Sequence, residues 1–154
     1  MLMTLHGAVG AYVGERMDSL TLAFIFSFII HFLFDIIPHG DHENVIMFKT
    51  EKKINRVIGL IAIDAVMGLI FLALYFSQIK TTGPHLYPII AGIIGGVLPD
   101  LLVGLYHMNK KYLFRFNFVH MRLHELIKFR VPLKFALLVQ IIFILFIWQF
   151  YHFE

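Results

Sequence analysis

Cysteine is absent from the 154-residue chain. That excludes a disulfide framework and any thiolate site, so a bound metal would have to be held by His, Asp or Glu. Charge is scarce as well: Asp, Glu, Lys and Arg make up 15% of the residues, against 59% hydrophobic ones. With a mean hydropathy of +0.80 the chain is too apolar for an ordinary soluble domain. The 13 basic and 10 acidic residues leave a mild positive balance that membrane topology accounts for, so no nucleic-acid partner is expected. The N-terminus has no basic start and no small-residue cleavage site, so no signal peptide is expected to be removed. Internal repeats and low-complexity tracts are also missing. The length suits a single membrane-embedded domain over residues 1–154.

What is present is long apolar runs. Leu20–Ile37, Val57–Gln78, Tyr87–Tyr106 and Pro132–Tyr151 each supply about the 20 residues that a bilayer-crossing helix needs. Ahead of them, Leu2–Gly14 is apolar but would reach only about 20 Å as helix, at about 1.5 Å per residue. The expected fold is all-α: a polytopic membrane bundle of four spanning helices, with a short N-terminal partial or re-entrant helix packed on it. Lys49, Lys52, Lys53 and Arg56 crowd one loop, and Lys110, Lys111, Arg115, Arg122, Lys128, Arg130 and Lys134 crowd another. The positive-inside rule makes both loops cytoplasmic. Phe114–Arg130 mixes aromatic with basic residues and reads as an amphipathic helix on that interface.

The polar groups inside these runs carry the chemical information. An ionisable side chain at the centre of a spanning helix costs about 2.5–3.5 kcal/mol on insertion scales. Yet the first run ends in His31-Phe-Leu-Phe-Asp35-Ile-Ile-Pro38-His39, followed by Asp41 and His42. A metal ion is the simplest way to offset the cost. In the hairpin order of the helices, His31 and Asp100 fall about 9 Å, and Asp64 about 10 Å, from one membrane surface, at about 1.5 Å per residue. Asp35 sits one turn from His31 on the same helix face. His39, Asp41 and His42 follow at that surface, and His120 and His124, one turn apart, lie in a loop on the same side. Chain reversal at Glu15–Ser19 brings His6 to a depth close to that of His31. Gly92 and Gly96, with Gly95 beside them, let another helix approach the third span closely, and Pro99 loosens the backbone before Asp100.

At these residues the chain resembles the small bacterial inner-membrane proteins called LexA-regulated, membrane-bound metal-dependent hydrolases. The family's early His in a Gly-rich helix corresponds to His6, and its His-Phe-Leu-x-Asp-x-x-Pro-His-x-Asp stretch to His31 through Asp41. Its Leu-Pro-Asp motif corresponds to Leu98-Pro99-Asp100, and its late histidines to His120 and His124. The chain is more distantly similar to zinc-dependent phospholipase C and the single-strand-specific zinc nucleases. That similarity implies metal ligation by His31, Asp35 and His39.

The expectation is therefore a divalent-metal centre held by His6, His31, Asp35, His39, Asp100, His120 and His124. Imidazole plus carboxylate suits zinc foremost, with manganese and iron as alternatives. Asp64 and His42 are placed beside the ligands, to orient a ligating imidazole; for Asp64 a hydrogen bond between packed helices is the competing role. Asp100 or Asp41 is the expected base, and Arg115 or Arg122 the expected holder of a substrate phosphate. The expected activity is hydrolysis of an ester or phosphodiester, with membrane lipid as partner and substrate, at the cytoplasmic face of an inner membrane. The alternatives are a non-enzymatic metal-binding or structural subunit of a membrane complex, and a di-iron membrane oxygenase.

Overall fold

The computed structural model of the protein describes residues 1–40, 54–79, 83–129 and 131–151. Asp41, His42 and the basic residues Lys49, Lys52, Lys53 and Arg130 lie outside them. The described residues form six α-helices and no strand: α1 (Met3–Glu15), α2 (Leu20–Ile36), α3 (Ile54–Gln78), α4 (Leu86–Met108), α5 (Phe114–His124) and α6 (Leu133–Trp148). A 3-10 turn at Gly83–His85 leads into α4. Two segments, Ile58–Gln78 and Gly83–Met108, are long and apolar enough to cross a membrane; α2 and α6 are apolar but shorter.

Local chemistry sets the ends of α2. The Ser19 hydroxyl accepts from Leu22 N–H at the start, offsetting one of the unpaired donors there. Ile37 is extended, as the residue before a proline prefers, and the helix stops. Helix α5 ends at His124 rather than continuing to Arg130; the chain turns at Glu125 and starts α6 after Pro132.

Helix α1 departs most from expectation. It lies inside the bundle, packed against α2, α3, α4 and α6. Nearly every residue from Thr4 to Gly14 is buried. Its composition is the reason. It is apolar or small all round, which suits a fully enclosed helix. A Cβ on Gly10 would overlap the Gly92 carbonyl, and one on Gly96 would overlap the carbonyl of His6. The backbones of α1 and α4 thus touch through glycine, a packing mode at home in membrane bundles.

An enclosed helix start must find acceptors for its unpaired N–H groups. Asp64 of α3 supplies them: its carboxylate takes Met3 N–H at 2.6 Å, Thr4 N–H at 3.2 Å and the Thr4 hydroxyl at 2.7 Å. Gln140 of α6, itself buried, takes Leu2 N–H at 2.7 Å. Other bonds tie the far end. The Tyr75 hydroxyl donates to Glu15 Oε1 at 2.6 Å, the Tyr151 hydroxyl to the Ala8 carbonyl at 2.6 Å, and Arg16 Nη2 to the Phe150 carbonyl at 2.7 Å. The pairs Thr4–Asp64 and Glu15–Tyr75 make α1 parallel to α3, while Gly10–Gly92 and Gly14–Ile89 make it antiparallel to α4. Gly95–Phe24 and Asp100–His31 set α2 parallel to α4, so α1 to α4 alternate in direction, while Leu2–Gln140 and Ala8–Tyr151 set α6 parallel to α1. The C-terminal parts of α2 and α4 meet at one end, where α5 also packs.

Candidate metal centre

Asp35, with no exposed side-chain surface, is the centre of the site. Its Oδ2 lies 2.9 Å from His31 Nε2, 3.1 Å from His120 Nε2 and 2.9 Å from His124 Nε2. His6 Nε2 approaches the other oxygen, Oδ1, at 3.1 Å. Asp100 Oδ1 stands 3.8 Å from His31 Nε2 and 3.9 Å from His120 Nε2. The Nε2 atoms of His120 and His124 are 2.8 Å apart.

Two overlapping ligand groups result: His31, Asp35, Asp100 and His120 in one, and Asp35, His39 and His124 in the other, each with its donor atoms within 4.8 Å of one another. Asp35 belongs to both. Helix geometry explains the convergence. Ala23, Ser27, His31 and Asp35 repeat every fourth residue and form the buried face of α2. His120 and His124 repeat the pattern on α5. Pro99 removes the N–H that would have bonded the Gly95 carbonyl, loosening the ladder of α4 just before Asp100.

The hydrogen bonds behind the ligands decide what the Nε2 atoms are. A carbonyl only accepts, so His31 Nδ1–H donates to Gly96 O at 2.7 Å. His39 Nδ1 likewise donates to the Ile37 carbonyl at 2.7 Å. A neutral His31 then carries its lone pair on Nε2, facing the lone pairs of Asp35 Oδ2. Both atoms are buried without a hydrogen-bond partner. Making all three imidazoles that face Oδ2 cationic would crowd like charges. A divalent cation held among these donors would resolve the conflict. Nitrogen and oxygen ligands at 2.0–2.1 Å in a tetrahedron stand about 3.3 Å apart, a spacing that the observed 2.9–3.9 Å brackets. The donor set therefore fits a divalent metal.

At the end of α5, burial lowers the His124 pKa below the ordinary imidazole value, against the opposing effect of Asp35; the neutral, metal-binding form is favoured. The Asp100 side chain is 25% exposed and that of His124 17%, while the others are sealed, so these two form the mouth of the site.

Several expected residues take other places. His6 stacks on the His31 ring at 3.9 Å and grips the far oxygen of Asp35, outside both ligand groups. Asp64 is committed to the start of α1 rather than to an imidazole, and so acts on the site only through the helix that carries His6. Arg115 and Arg122 are exposed on α5. At about 100° per residue, Arg122 lies on the face opposite His120, so neither arginine is aimed at the metal centre. Asp41 and His42 fall outside the described residues. The sequence reading missed the Gly96 carbonyl, whose side chain gives no sign of a role. It also missed Gln140, which had a signal: the one amide inside the apolar helix Leu133–Trp148. Asn117 was missed as well; its Oδ1 and His120 Nδ1 are both buried and without partners, one turn apart on the inward face of α5.

Comparison with protein-family models, curated proteins and solved structures returned no match.

Proposed function

We propose that the protein is a membrane-embedded, metal-dependent hydrolase of an ester or phosphodiester, with a phospholipid as the favoured substrate class. The observation that carries this is the meeting of three imidazole Nε2 atoms on one buried carboxylate oxygen, beside a second, partly exposed carboxylate. The motif resemblance of His31 through Asp41, Leu98-Pro99-Asp100 and the His120–His124 pair points the same way.

Four helices would span the bilayer. At about 1.5 Å per residue, the 17 residues of α2 and 16 of α6 reach about 25 Å, close to a hydrocarbon core of about 30 Å. Both present leucine, isoleucine and phenylalanine outward: Ile25, Phe26, Ile29 and Leu33 on α2, Leu138, Ile142, Leu145 and Phe146 on α6, each about half exposed. Such apolar faces call for lipid. The end holding the candidate centre also holds Lys110, Lys111, Arg115, Arg122 and Lys128, which by the positive-inside rule supports reading it as the cytoplasmic end of an inner-membrane protein.

Zinc is the favoured occupant, and a bound divalent cation supplies a water of lowered pKa and a Lewis-acid contact for a substrate oxygen. His31, His120 and His124 would hold it through their Nε2 atoms, with Asp35 shared by the two ligand groups. Asp100, open to the mouth, is placed to accept a proton from an attacking water and hand it to the leaving oxygen. The sealed interior behind Asp35 keeps bulk water away from the charge that develops.

Elemental analysis of protein purified without chelator, joined to a lipid-hydrolysis screen, tests the reading. We expect at least one divalent ion per chain, turnover of an ester-linked lipid, and loss of both in His31→Ala. Asp100→Ala should lose turnover more than metal. Less than one ion per chain, with His31→Ala behaving as wild type, overturns the proposal. Bound metal without turnover of any lipid would point to a metal-binding subunit instead.

A further inference from the structure

Helix α5 has two faces with different business. His120 and His124 point inward with Phe116 and Asn117, and the helix is held to the bundle through α2 and α4. On the other face Arg115, Phe118, Val119 and Arg122 are exposed, followed beyond the helix by Leu126 and Lys128. Phe118, Val119, Arg122, Leu126 and Lys128, with Glu125, line an open groove. The Arg122 guanidinium lies 5.4 Å from the centre of the Phe118 ring.

We propose that this groove binds an acidic phospholipid, and that lipid bound there seats α5 and so completes the metal centre. The inference rests on the membrane and metal reading above. Two cations and one carboxylate leave the groove a single positive charge, which complements the monoanionic phosphodiester of an acidic headgroup. A free phosphate would satisfy that charge but leave Phe118, Val119 and Leu126 in water; an acyl chain covers them. The coupling follows from one short helix carrying both functions. His120 and His124 reach Asp35 only when α5 is seated, and a lipid that favours the seated helix raises metal affinity. Metal must then raise lipid affinity by the same factor.

The test uses the full chain in nanodiscs of phosphatidylcholine, with or without phosphatidylglycerol, and reads zinc affinity by chelator competition. Zinc should bind tighter with phosphatidylglycerol present, by up to about fivefold for each cation engaged. The double variant Arg122→Gln/Lys128→Gln should lose that difference while keeping wild-type affinity in phosphatidylcholine alone. Equal wild-type affinity in the two bilayers overturns the coupling, as does a lipid effect that survives in the double variant. Phosphatidylglycerol molecules retained per chain, counted by native mass spectrometry, judge the groove by itself. Fewer on the double variant supports it, and equal numbers overturn it. Wild type that holds no zinc in either bilayer sinks the metal-centre reading and the coupling, and leaves the lipid count to decide the groove.

Discussion

His31 Nδ1 donates to the Gly96 carbonyl at 2.7 Å, which turns the imidazole so that Nε2 meets Asp35 Oδ2 at 2.9 Å. A main-chain acceptor on α4 thereby fixes both the tautomer and the aim of a side chain on α2. Backing of this kind raises the basicity of a metal-binding imidazole.

Replacing His31 with Gln keeps a polar side chain of similar size but removes the aimed nitrogen. Zinc affinity should fall at least about tenfold, the scale seen even when only an orienting partner is lost. Chelator competition on the purified variant measures it, and helical content by circular dichroism should not change. Unaltered affinity would remove His31 from the centre.

Asp64→Ala should destabilise the whole bundle rather than the site alone. Two main-chain donors at the start of α1, Met3 N–H and Thr4 N–H, lose their acceptor, while the Thr4 hydroxyl keeps the Asp64 carbonyl; one unsatisfied buried donor costs about 1–3 kcal/mol. We expect a loss of about 2 kcal/mol or more, seen as a lower Tm in detergent, with Asp64→Asn milder because one amide oxygen still accepts. If Asp64→Ala reduced zinc affinity at an unchanged Tm, the carboxylate would belong to the metal centre after all.

The glycines separate by location. Gly10→Ala drives a methyl group into the Gly92 carbonyl and should cost about 1–3 kcal/mol as α1 and α4 move apart. Gly104, also helical, has open space where its Cβ would lie, so Gly104→Ala should be neutral or stabilising by up to about 1 kcal/mol. Thermal unfolding of the two variants side by side measures the contrast; equal effects would contradict the packing described.

Acid should empty the site. The His124 pKa is lowered in the fold, so between its folded and unfolded values the unfolded chain binds more protons and stability rises with pH. That contribution is complete above the ordinary imidazole value of about 6.5 and is lost as the pH falls through the folded value. Metal binding has the same sign, because a ligating imidazole must be deprotonated. Zinc should be held at neutral pH and released on acidification. Release on raising the pH slightly above neutral would contradict it.

Much of this was legible in the chain itself. Apolar runs and the scarcity of charge defined the helices, because a helix satisfies its own backbone wherever water is absent. The four-residue spacings of His31 with Asp35 and of His120 with His124 put each pair on one face, because 3.6 residues complete a turn. Hairpin order placed Asp100 at the depth of His31. Tertiary structure decided what spacing could not. Small residues allowed α1 to enter the bundle, and its enclosed start drew Asp64 away from the imidazoles. The rotation of α5 sent His120 inward and Arg122 outward. Sequence fixes periodicity along one helix; the rotation and contact of one helix against another depend on how closely their surfaces approach, which only the packed bundle determines.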